Sequence, residues 1–277
     1  ALGMSVGSLN RLGAEPLYPL PLDRQEDSVE AAMHFAHLKS GQAIRAWLED
    51  LPWERRTWTV GGRLLAQAEA VEAQEPARRA DLLAAVHEVV LARQRPDGFF
   101  GGTDDWASTL SGSYKIVAFL DRFGLDAPRS GELARSVMAE LFLREYEGSI
   151  VLYNTVRILV ILHRQGVELS LEERLAIVQR CIDIMGTFHG PDGGFVTRRG
   201  GPSPDANGKQ LGKNVVEGNT NATGLMHKAR MLLYELLTGD PGPHPHPAGS
   251  DLVAALNAAA RQTGDQPLDR QEGDLVR

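Results

Sequence analysis

Apolar residues recur three and four positions apart along most of the chain from Asp27 onward, as in helices with one buried stripe. The spacing predicts helices over roughly 27–50, 54–73, 79–94, 105–123, 130–145, 149–165, 170–188, 216–238 and 249–263. Boundary signals agree with this reading. Ser170 followed by Leu171-Glu172-Glu173 reads as a capping box, and Pro128-Arg129-Ser130 precedes another start. Gly124, Gly166 and Gly239 stand where helices should end. Period-two alternation is almost absent. The stretch GGFVTRRGG, residues 193–201, is the one that reads as a short hairpin.

The connections carry a second pattern. Turn residues fall at Leu51-Pro52, Pro96-Asp97-Gly98, Glu147-Gly148, Pro191-Asp192-Gly193 and Asp240-Pro241, recurring at about 45 to 50 residues. Two antiparallel helices with two loops need about that many residues. The chain therefore reads as all-α: four to five consecutive helical hairpins with these turns at one end, stacked as a solenoid or curled into a ring. Residues 1–26 lack periodicity and read as an extended arm, 27–239 as the hairpin domain, 240–250 as a Pro-rich linker, and 251–277 as a final helix with a polar tail.

Composition narrows the function. A chain of 277 residues with 43% apolar content can bury a sizeable core. A net charge of −7 with interspersed signs speaks against nucleic acid as a partner. The longest apolar candidate, Ser149 to His163, is interrupted by Asn154 and Arg157, so no membrane span is expected. The first eight residues lack the basic region and apolar run of a signal peptide, and Cys181 is the single cysteine. A reducing cytoplasm is the expected compartment, with Cys181 a buried structural thiol on a helix. His34 and His37 stand at i, i+3 without a third ligand, and His244 and His246 lie in a linker, so neither a metal nor a cofactor is expected. The hexapeptide PLDRQE occurs at both Pro21–Glu26 and Pro267–Glu272.

Two connections carry most of the information: QRPDGFFGG, residues 94–102, and GPDGGF, residues 190–195. Proline fixes one dihedral, Asp-Gly turns the chain, and the following aromatic can fold back between adjacent hairpins. These stretches resemble the Q-x-x-D-G-[GS]-[FW]-G motif of the terpenoid cyclase and protein prenyltransferase superfamily. The resemblance implies an (α/α) toroid, here incomplete for its length. Related toroids include glycoside hydrolases and polysaccharide lyases, heparinase II/III-like proteins among them. In such rings the helix after each connection lines the centre. That implies inner helices at 54–73, 105–123, 149–165 and 216–238, opening on WERRTWTVGG, DDWASTLSGSYK, IVLYNTVR and VVEGNTNATGLMHK.

All four openings place polar or small residues at the same end, which suggests a shared binding mouth. Gly61, Gly62, Gly112, Gly218 and Gly224 are poor helix-interior choices and make sense where helices approach closely or a ligand needs room. Asp104 and Asp105 are adjacent carboxylates at a helix start, either a cap or an acid pair with one member protonated. Glu217 is the candidate second carboxylate across the cleft. Tyr153, Asn154 and Arg157 lie on one helix, with Tyr153 and Arg157 four apart. With Tyr114 and Lys115 they match the equipment of toroid lyases, or else form a buried polar network. Trp58 and Trp106 are candidate sugar-stacking faces, with Asn219 and Asn221 as further polar contacts. His189 and His227 are single acid/base candidates.

The cyclase reading is weaker at its key position: Gly102 stands where an Asp-x-Asp-Asp acid motif needs its first Asp. The prenyltransferase reading lacks its zinc ligands. The expected function is an enzyme with a central pocket for a small molecule or oligosaccharide, a glycoside hydrolase or polysaccharide lyase. An isoprenoid cyclase and a non-catalytic helical scaffold are the alternatives.

Overall fold

The computed structural model describes residues 35–102, 105–190, 192–199, 220–240 and 249–263. The arm at 1–26, His34, Asp104, Glu217, Gly218, Asn219, most of the Pro-rich linker (with His244 and His246), the tail after 263 and both copies of PLDRQE lie outside these residues. The described chain is helical, with isolated bridge pairs and no strand. A short 3-10 turn, Ala36–Leu38, precedes α1 (Gly41–Glu49), α2 (Thr57–Leu65), α3 (Ala68–Glu72), α4 (Pro76–Ala92) and α5 (Trp106–Arg122). Then follow α6 (Ser130–Leu143), α7 (Ser149–Arg164), α8 (Leu171–Gly186), α9 (Thr220–Thr238) and α10 (Gly249–Thr263).

Capping decides most boundaries. Ser170 accepts from the Glu173 N–H at 3.1 Å while the Glu173 carboxylate accepts from the Ser170 N–H at 2.7 Å, the reciprocal pair its sequence predicts. Gly124, Gly166 and Gly239 all take positive φ and close the ends of α5, α7 and α9, where a Cβ would be strained. Two predicted helices are divided. The described part of the segment 27–50 gives the 3-10 turn Ala36–Leu38 and then α1, because the extended Ser40 starts a new helix by accepting from the Ala43 N–H. The segment 54–73 divides into α2 and α3, where Gln67 N–H turns to the Leu64 carbonyl in a tighter i→i+3 bond.

The helices form two layers. In the first, α2 packs on α5, α5 on α7 and α7 on α9. In the second, α8 contacts α6 and α10 and also touches α7 and α9. At the beginning of the chain, α1 pairs with α4. Two sides of α5 show the consequence: Leu110, Ser113, Ile116, Val117 and Leu120 are buried, while Ala107, Ser108, Tyr114 and Lys115 are only partly covered. On α7, Ile150, Arg157 and Arg164 are seven apart and are among its more exposed residues. The first layer therefore keeps one open face. Among the described residues, no helix is long and apolar enough to cross a membrane.

Four connections meet at one end of the layers. Gly102 N–H donates to the Trp53 carbonyl at 2.8 Å, joining the connection before α2 to that before α5. Trp106 at the start of α5 meets Tyr146 ahead of α7 edge-on, ring centroids 5.1 Å apart. Ser149 N–H donates to the Thr197 carbonyl at 3.0 Å, and Arg199 N–H to Glu147 at 3.3 Å. The two Pro-Asp-Gly corners thus share a rim.

Both corners are built alike. Gly98 and Gly193 take positive φ. The Asp97 carboxylate accepts from Phe99 N–H, and that of Asp192 from Gly194 N–H, both at 3.1 Å. Gln94 pairs with Phe100 and His189 with Phe195. Phe100 and Phe195 are buried, and each N–H donates to a hydroxyl on the next first-layer helix: Ser113 at 3.1 Å and Thr223 at 3.0 Å. Burying a phenylalanine contributes about 1.5–3 kcal/mol. Gly101 and Gly102 are needed for close approach, since a Cβ on either would run into the backbone of Trp53 or Glu54.

Candidate functional site

The open face begins with an unusually close pair of helices. A Cβ at Gly61 would overlap the Gly112 carbonyl oxygen, and one at Gly112 would lie 2.5 Å from the Thr57 carbonyl carbon. These two glycines let α2 and α5 meet backbone to backbone. That contact sets Lys115 of α5 directly over α2. Its Nζ lies 3.6 Å above the centre of the Trp58 indole and donates to the Trp58 carbonyl at 3.3 Å. Trp58 itself is 55% exposed, so its ring forms part of the surface. Burial pulls the Lys115 amine down to about 8. The indole face acts the other way, favouring an ammonium.

On its other flank α5 meets α7. Tyr114 and Tyr153 contact edge to face, centroids 6.2 Å apart. Arg157 donates to the Tyr153 hydroxyl oxygen at 2.8 Å and lies 5.7 Å from the centre of the Tyr114 ring. Burial pushes the Tyr114 phenol up to about 12, with Arg157 opposing and Tyr153 assisting. Burial works against the Arg157 charge, but Tyr114, Tyr153 and Asp121 more than offset it, holding the guanidinium above its ordinary value. Beneath this group Asn154 is buried and donates to Ser111 Oγ at 3.0 Å. Asn154 thus joins the two helices, the structural role its sequence position left open.

The other candidates lie apart from this cluster or outside the described residues. Asp105 caps α5, accepting from Ser108 N–H at 3.0 Å. Hydrogen bonds from Ser108 hold its carboxyl below the usual range despite partial burial. Asp105 thus serves as the helix cap, one of the two roles its position offered. Trp106 packs against Tyr146 at the rim. Asn221 is exposed in the first turn of α9. His189 packs edge-on against Phe195 as part of the second corner. Asp104, Glu217 and Asn219 are not among the described residues, and no group of three metal-binding side chains occurs among those that are.

Three participants escaped the sequence reading. Asp121 lies within electrostatic reach of both Arg157 and Arg164. Arg164 makes a bidentate ion pair with Glu235 of α9 at 2.5 Å. Ile150, on the same stripe as Arg157, is exposed near the rim. A signal was present: Tyr114 and Asp121 are seven apart on α5, and Arg157 and Arg164 are seven apart on α7, which marks two facing stripes.

Helix α5 thus carries two groups on its two flanks: Lys115 over the exposed Trp58 indole, and Tyr114 beside the buried Tyr153 and Arg157. Compared with protein-family models, with curated proteins and with solved structures, the chain matches none of them at a significant level. The family resemblance of the two corners therefore rests on their residues alone, and the reading of the site rests on its geometry.

Proposed function

We propose that the two layers are an arc of an α/α toroid and that the open face binds an acidic saccharide and cleaves it by β-elimination. The carrying observation is the Arg157–Tyr153 hydrogen bond beside Tyr114. A guanidinium fixes one phenol oxygen while burial keeps the neighbouring phenol protonated. Two like groups in unlike environments are suited to opposite proton-transfer roles. In this reading Arg157 and Lys115 hold the uronate carboxylate and Trp58 stacks on a sugar ring. Tyr153, its oxygen held by Arg157, is the base for the proton α to the carboxylate. The glycosidic C–O bond breaks, a C=C bond forms, and Tyr114 returns a proton to the leaving oxygen.

Hydrolysis needs two carboxylates facing one another. Asp121 is the acid that the described cluster offers, and it stands among arginines. The test is ultraviolet absorbance of unsaturated uronate released from pectate, alginate, heparin and hyaluronan. Turnover of one of these polymers is expected, with a drop of about 10²–10⁴-fold in Tyr153→Phe. Absence of binding and cleavage across the panel, or unchanged turnover in Tyr153→Phe, overturns the reading.

A further inference from the structure

Asp-Gly occurs twice in the chain, at Asp97-Gly98 and Asp192-Gly193, once in each corner. The two turns share their local hydrogen bonding: Gly98 N–H donates to the Arg95 carbonyl at 3.0 Å and Gly193 N–H to that of Gly190 at 3.1 Å. Their surroundings differ. Gly98 is buried against α6, where a Cβ would overlap the Leu133 backbone nitrogen. The Asp97 carbonyl accepts from the Ser136 hydroxyl at 2.8 Å, and its carboxylate pairs with Arg95. The Gly98 carbonyl accepts from Gln94 Nε2 at 2.9 Å. Asp192 and Gly193, by contrast, are both exposed. Among the described residues, no atom beyond the chain neighbours lies within 4 Å of a Cβ added at Gly193.

We infer that Asp192-Gly193 is a site of self-modification, where the aspartate isomerises to a β-linked isoaspartate, and that the fold protects Asp97-Gly98 from the same change. This goes beyond the elimination reading and stands without it. The Gly193 nitrogen adds to the Asp192 side-chain carbonyl carbon. An N–C bond forms, the carboxyl OH leaves with the amide proton as water, and a succinimide ring closes. Water then adds to the Asp192 main-chain carbonyl carbon, and the bond from that carbon to the Gly193 nitrogen breaks. The chain is left linked through the side-chain carbonyl, with a free α-carboxylic acid. One water leaves and one enters, and no oxidant or reductant takes part. Ring closure requires the peptide plane between the two residues to turn until the nitrogen reaches the side-chain carbon. Glycine puts no Cβ in the way of this attack. At an exposed loop tip the rotation is a local opening. At the first corner it must lift Gly98 off α6 and release both Ser136 and Gln94.

The test ages the full chain for several weeks in neutral buffer, folded and, in parallel, unfolded in guanidinium chloride. Tryptic peptides 94–115 and 181–198 separate the corners, and electron-transfer fragmentation assigns isoaspartate to Asp97 or Asp192. In the folded chain Asp192 is expected to carry at least about ten times the isoaspartate of Asp97. In the unfolded chain, where neither corner is held, the two are expected to agree within about threefold. Asp192→Glu, which would have to close a six-membered ring, is expected to abolish the change at the second corner. Equal ageing of the corners in the folded chain overturns the inference. So does a tenfold difference that persists in denaturant, or an Asp192 that ages only when unfolded. Uronate cleavage is a separate readout, so either proposal can fail alone.

Discussion

Lys115 shows how burial of one charged group reaches into the behaviour of the protein. Its amine is lowered to about 8 by burial, below the value of about 10.4 for an unfolded chain. Between those values the unfolded state binds more protons, so the folded state gains stability as pH rises through this window. Tyr114 and Tyr146 are pushed the other way, and their contribution is lost only above the ordinary tyrosine range near 10. The buried Cys181 thiol is pushed up by desolvation and acts against Lys115 above about 8.5, where an unfolded thiol ionises. Urea melts at pH 7.5 and 9.5 are therefore expected to show a more negative change in stability with pH in Lys115→Met than in the wild-type protein. An equal change in both would exclude a contribution from Lys115. The residue types of this cluster were legible in the sequence, since Tyr153 and Arg157 are four apart and Tyr114 and Lys115 adjacent. The amine's position over Trp58 was not, because it depends on how closely two backbones approach.

Among the helices, glycine has opposite meanings at different places. At Gly112 a Cβ would meet the Thr57 backbone, so the α2–α5 contact exists only with a bare Cα. At Gly224 nothing lies within 4 Å of the same added atom. Gly112→Ala is expected to destabilise by about 1–3 kcal/mol through overpacking, against a helix-propensity gain of about 1 kcal/mol that it does not escape. Gly224→Ala is expected to stabilise by about 0.5–1 kcal/mol, since it removes backbone freedom from the unfolded chain without a clash. Thermal melts of both variants check the signs, and a stabilised Gly112→Ala would show that the two helices can part at little expense. The sequence offered both glycines as sites of close approach or ligand room; distinguishing them required the neighbouring helix.

For the whole molecule, the rim is the organising feature. Each Pro-Asp-Gly corner buries a phenylalanine and hands its N–H to a hydroxyl on the following first-layer helix, tying connection to layer. Ser113→Ala leaves the buried Phe100 N–H without that acceptor and is expected to cost about 1–3 kcal/mol in denaturant melts, more than Thr223→Val at the less buried second corner. Equal, negligible losses would mean the corners do not staple the layers. Local chemistry determined much of this: helix positions follow from apolar spacing, helix ends from Ser170 and the positive-φ glycines, and the corners from Pro-Asp-Gly, because each depends on residues a few positions apart. Tertiary structure alone decided that Asn154 joins α7 to Ser111, that Arg164 pairs with Glu235, that Asp121 comes near Arg157, and that the Lys115 amine lies over Trp58. Those outcomes depend on contacts far apart in the chain, such as the 43 positions between Ser111 and Asn154 and the 71 between Arg164 and Glu235, or on the angle at which helices meet. Such distances are set by packing, and no local pattern encodes them.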